Sequence, residues 1–95
     1  MAISENSNSR LACIVCAHVA RHGKPILQAQ RDEAVDSADS GWQFLCGLNE
    51  HLEEGAEIWG LSELLEKDPS LVPFVGHPIG TMLFRTTAKE RWSIL

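Results

Sequence analysis

Ser40-Gly41-Trp42-Gln43-Phe44-Leu45-Cys46-Gly47 is the stretch on which the fold turns. It reads as one short central strand bounded by glycines. Trp42, Phe44 and Cys46 recur at period two and so share one face, while Gln43 and Leu45 take the other. Trp and Phe each bury a large apolar area, so such a strand can anchor a small core. Asp39-Ser40-Gly41 ahead of it is an Asx-type turn signal.

The segments on either side are short and β-rich. Leu11 to Ala20 is an unbroken apolar run whose Ile14-Val15 centre favours a strand. His22-Gly23-Lys24-Pro25 marks a turn, and Ile26 to Gln30 reads as a second strand, so residues 12–30 are expected to form a hairpin. Arg31 to Ser40 is a polar connection. Leu48 to Glu57 reads as an exposed acidic loop. Ile58-Trp59 leads into the one convincing helix, Leu61 to Lys67. Gly60 stands as its N-cap, Glu63 sits at N3, and Leu61, Leu64 and Leu65 form an i, i+3, i+4 stripe. Pro69 ends that helix and opens a further helical turn capped by Asp68. Ile79 to Thr86 is the last strand, and Ala88 to Leu95 a mixed tail holding Trp92.

These elements predict a single small α+β domain over residues 11–95, with residues 1–10 as a frayed tail. The sheet is expected to be mostly antiparallel, of about four or five strands, with one main α-helix packed on one face. Ile14, Trp42, Phe44, Leu64, Leu65 and Phe84 are the expected core.

The chain has 95 residues, 44% of them apolar, and a net charge of −5. That apolar content argues against disorder. An acidic chain without clustered Lys and Arg is a poor nucleic-acid binder and a better match for a basic protein. No run approaches the length of a membrane span, and no apolar h-region stands at the N-terminus, so a cytoplasmic protein with reduced cysteines is expected.

Four clusters invite a chemical reading. Cys13-Ile14-Val15-Cys16 has the letters of a C-x-x-C motif, but an offset of three in a strand puts the thiols on opposite faces, and no second cysteine pair completes a zinc ribbon. Cys16 and His18 share a face, and Cys46 stands within reach across the sheet. A Cys-His pair is the minimum for a thiolate nucleophile. No orienting partner or oxyanion donor sits at readable spacing, so packing, with His18 solvated at the hairpin end, is the preferred account. Asp32, Glu33, Asp36 and Asp39 lack the spacing and glycine of an EF-hand. Glu50, Glu53, Glu54 and Glu57 are the densest charge, either a solvated loop or a negative patch that steers a basic partner. Neither a catalytic set, a metal site nor a cofactor is expected.

From about Leu11 to Arg85 the chain resembles the immunity protein 33 family, first catalogued as domain of unknown function 2185. Ala12-Cys13-Ile14-Val15, Gly23-Lys24-Pro25, the block Asp39 to Gly47, the run from Leu61 through Asp68-Pro69-Ser70-Leu71-Val72-Pro73, and Pro78-Ile79-Gly80-Thr81 to Phe84-Arg85 carry the resemblance. It implies a small bacterial cytoplasmic protein that neutralises a toxin by binding it, with no catalytic residues. The alternatives are a peptide-binding or homodimeric module using an exposed strand edge, and a small thiol enzyme using Cys16, His18 or Cys46.

Overall fold

In the computed structural model, residues 11–47 and 55–95 are described. The expected N-terminal tail and most of the acidic loop, including Glu50, Glu53 and Glu54, lie outside them. The described elements are β1 (Ala12–Val15), α1 (Ala17–His22), β2 (Gln28–Arg31), β3 (Asp39–Leu45), β4 (Glu57–Gly60), α2 (Leu61–Lys67), a 3-10 helix (Pro69–Phe74), β5 (Met82–Phe84) and β6 (Ser93–Ile94). The domain is α+β: the strands form one mixed sheet in the order β4-β1-β3-β2-β5-β6, with β3 near its middle. Only β1 and β3 run parallel; the other neighbours are antiparallel.

The expected hairpin over residues 12–30 does not form. β1 ends at Val15, the chain turns into α1, and β3 inserts between β1 and β2. The second half of the apolar run is helical because Ala17 and Ala20 are strong helix formers and Val19 alone is β-branched. Gly23 closes α1 in the left-handed conformation at φ 69°, and its amide donates to the His18 carbonyl. Lys24 N donates to the same oxygen at 3.1 Å. A single main helix is likewise too simple a picture, since α1, α2 and the 3-10 helix all contribute to the core.

The Ser40-Gly41 pair earns its place in β3. Ala12 pairs with Asp39 and Ile14 with Gln43, so β3 spends extra residues in a bulge. Ser40 Oγ donates to the Ala12 carbonyl at 2.6 Å and accepts from Trp42 N at 3.1 Å. Gly41 has φ 83°, and a Cβ there would stand 2.0 Å from the Asp32 carbonyl oxygen, so no other residue fits. Asp39 Oδ1 accepts from Gly41 N at 2.9 Å, which is the Asx turn read in the sequence.

One face of the sheet carries the core. Cys13 and Val15, Trp42 and Phe44, Ala29 and Leu83 are buried there with Val19 of α1, Leu61 and Leu64 of α2, and Leu71 of the 3-10 helix. Trp42 stacks on Phe44 with centroids 5.8 Å apart, and its indole N–H donates to the Val75 carbonyl at 3.0 Å. Leu65 is partly buried against this cluster. Two expected core residues belong elsewhere. Ile14 alternates with Cys13 and Val15 and so points to the opposite face. Phe84 is 39% exposed, because Leu83 is the inward residue of β5.

The C-terminal segment is held by a polar knot. Arg85 Nη2 pairs with Asp68 Oδ2 at 2.7 Å, and Arg85 Nε donates to the Ile26 carbonyl at 3.0 Å. The guanidinium lies 4.1 Å from the Trp92 ring centroid, and the indole N–H of Trp92 donates to Ser70 Oγ at 2.9 Å. Residues 88–95 are therefore more than a tail: Trp92 is buried, and Ser93–Ile94 adds β6 to the sheet.

Candidate functional site

The opposite face of the sheet has no helix over it among the described residues. Register places Ile58, Ile14, Gln43, Gln30 and Met82 in one row across five strands. The row is polar at its centre. Gln30 Nε2 donates to Gln43 Oε1 at 3.0 Å, and Gln43 Nε2 donates to Asp32 Oδ2 at 2.7 Å. Its ends are apolar. Met82 and Phe84 are exposed beyond β2, and Ile58 is 77% exposed on β4, the edge strand.

Beside Ile58 lies a shallow hollow of about 220 Å³, lined by Ala12, Cys13, Ile14, Val35, Ala38 and Ile58 with Asp36 and Asp39. Val35 is 86% exposed at its edge. The loop that carries it is locally tied. Val35 N donates to Asp39 Oδ2 at 3.0 Å and Ala38 N to Asp36 Oδ1 at 2.9 Å. The hollow is thus an apolar floor with carboxylates at its rim.

Of the cluster Glu50, Glu53, Glu54 and Glu57, only Glu57 is among the described residues, and it begins β4 rather than closing a loop. The Trp59 indole N–H donates to Glu57 Oε1 at 3.0 Å, and Arg21 Nε pairs with Oε2 at 3.1 Å. The Trp59 hydrogen bond, then Arg21, holds its carboxyl below the usual range. The charge of Glu57 is therefore shared with Arg21 before any partner arrives.

Cys16, His18 and Cys46 do come together, with their ligand atoms all within 4.8 Å of one another. Cys16 is the N-cap of α1, His18 lies in its first turn, and Cys46 follows β3 directly. Cys16 and Cys46 are buried thiols, while His18 is half-buried. His18 is only partly solvated: one ring nitrogen, Nδ1, is buried without a hydrogen-bond partner. Cys13 stands apart from this group on the core face. Burial, then the Glu63 and Asp39 carboxylates, pushes its thiol up to about 12, so it is inert at neutral pH.

These features describe a small α+β domain whose described helices all lie on one face of its sheet. The immunity protein Imm33 domain model matches residues 13–95, and the chain belongs to this family. No curated protein and no solved structure matches the chain. No helix among the described residues is long and apolar enough to cross a membrane.

Sequence reasoning missed the hollow because it is assembled from β1, β4 and the loop before β3. The available signal was Val35, the one large aliphatic residue in the run Asp32 to Asp39.

Proposed function

We propose that this protein neutralises a cognate toxin by binding it, without catalysis, and that the open sheet face around Val35 and Ile58 is the contact surface. The observation that carries the reading is an apolar hollow with carboxylates beside it, uncovered among the described residues, in a chain of an immunity protein family. An apolar side chain of the toxin fills the hollow, and basic residues beside it meet Asp36 and the acidic segment. The net charge of −5 favours a basic partner. Toxin domains that act on nucleic acid bind phosphate and are basic at their active sites, which makes them suitable targets.

Glu50, Glu53, Glu54 and Glu57 serve in this reading as steering charges that raise the association rate, an effect that fades with salt. The test is co-expression with the toxin encoded beside the gene, followed by association kinetics at low and high salt. Protection from the toxin, with a slower low-salt association for the variant in which all four become Gln, is the expected result. Protection without any change in rate would remove the four carboxylates from the mechanism. Absence of binding, with light scattering showing a dimer, would favour assembly through the β4 edge instead.

A further inference from the structure

Two thiols and an imidazole from three separate backbone positions converge at the end of the sheet where β1 and β3 finish. The convergence is built by the fold. The parallel β1–β3 pairing, extended by the bond from Cys16 N to the Phe44 carbonyl at 3.0 Å, fixes Cys16 beside the end of β3. Entry into α1 then places His18 two residues on, over the same spot.

We propose that Cys16, His18 and Cys46 form a binding site for a soft divalent cation of the zinc type. The donor set selects the metal: thiolates with one imidazole suit zinc and exclude calcium and magnesium, which take oxygen ligands. Tetrahedral zinc, with bonds near 2.3 Å to sulfur and 2.0–2.1 Å to nitrogen, places its donors roughly 3.5–3.8 Å apart. The three ligand atoms lie within 4.8 Å, so small side-chain rotations bring them to bonding distance. A second observation points the same way. The buried Nδ1 of His18 lacks a hydrogen-bond partner, an arrangement that costs free energy unless something is bound there.

Three protein ligands leave a fourth position open for water or a side chain from a partner. The ion would tie the start of α1 to the end of β3. This proposal is independent of the toxin-binding reading and survives its failure.

The reduced full-length protein, freed of metal by chelation, is titrated with cobalt(II) as a spectroscopic stand-in for zinc. One ion per chain is expected, with a thiolate-to-cobalt charge-transfer band, visible bands of tetrahedral intensity, and displacement by zinc. Cys16→Ser, Cys46→Ser and His18→Ala should each weaken binding by at least the roughly 10–100-fold that loss of an outer-shell partner costs. His22, whose ring centroid lies 6.2 Å from that of His18, is the control. A site made only of His18 and His22 would lack the charge-transfer band and survive both cysteine substitutions, which overturns the proposal. Because both thiols are buried, the unaltered protein is alkylated at a denaturant concentration where the metal-free chain labels measurably, and zinc protection of Cys16 and Cys46, read by mass spectrometry, covers variants that fail to fold. Equal labelling with and without zinc also overturns it.

Discussion

Trp42 and Gln43 are neighbours in β3, yet they face opposite environments. Trp42 is enclosed by core side chains and spends its indole N–H on the Val75 carbonyl. Gln43 lies on the open face in a chain of amides that ends at Asp32. The same division runs through the sheet: Cys13 and Val15 against Ile14, Leu83 against Met82 and Phe84. Apolar side chains on the covered face hold the fold together. Those on the open face, Ile58 and Val35 above all, gain nothing from it. Where exposed apolar residues cluster, as Ile58 and Val35 do at the hollow, they are available for binding.

The largest effect expected on this contrast is Trp42→Ala, which should cost about 3–5 kcal/mol, the range for removing a buried large aromatic. Gln43→Ala, one residue away, should cost under about 1 kcal/mol, because its partners remain partly solvated. Denaturant melts of the two variants measure the difference. Similar costs for both would erase the distinction between the faces.

Arg85→Ala comes next, at about 2–4 kcal/mol. That is somewhat below the cost of breaking a fully buried ion pair, since Asp68 keeps 17% of its side chain exposed while Arg85 keeps 3%. The loss should be accompanied by a change in Trp92 fluorescence, because the guanidinium lies against that ring. An unaltered melt would mean that the C-terminal strand is held by apolar contacts alone.

A further effect is tied to pH and develops only at alkaline pH. The Cys13 thiol in the folded chain ionises near 12 rather than at its ordinary 9.0. A raised folded pKa means that its contribution is complete below pH 9 and is lost as pH rises toward 12, because the unfolded chain releases the proton first. Stability should therefore decline from pH 9 upward, and Cys13→Ala should flatten the decline. A slope unchanged by the substitution would assign it to other groups.

The sequence made the covered face legible where periodicity was strict. The alternation through Trp42 and Phe44, the Leu61-Leu64 stripe, and the Glu63 carboxylate that accepts from Gly60 N at 3.0 Å could all be read directly. It misled where one apolar run served two structures. Leu11 to Ala20 is a strand and then a helix, and the signal for the change was Ala17, Ala20 and Gly23 rather than hydrophobicity. Phe84 was misplaced because Met82-Leu83-Phe84 is apolar throughout, so only pairing with β2 decides which residue turns inward. Nothing local to Arg85 announces its role, because Asp68, Ser70 and Trp92 reach it from other parts of the chain. The hollow and the Cys16-His18-Cys46 cluster both depend on long-range pairing, which no local pattern encodes.

The docking claim predicts a variant that folds and does not bind. Val35→Arg with Ile58→Arg places positive charge in the hollow, against a basic partner, on side chains that are mostly in water. Its melting curve should stay within about 0.5 kcal/mol of the parent. Its affinity for the toxin encoded beside the gene should fall by at least about 30-fold, the loss expected for a binding hot spot. Titration calorimetry on the pair gives the answer: a folded double variant that binds the toxin as tightly as the parent would contradict the account.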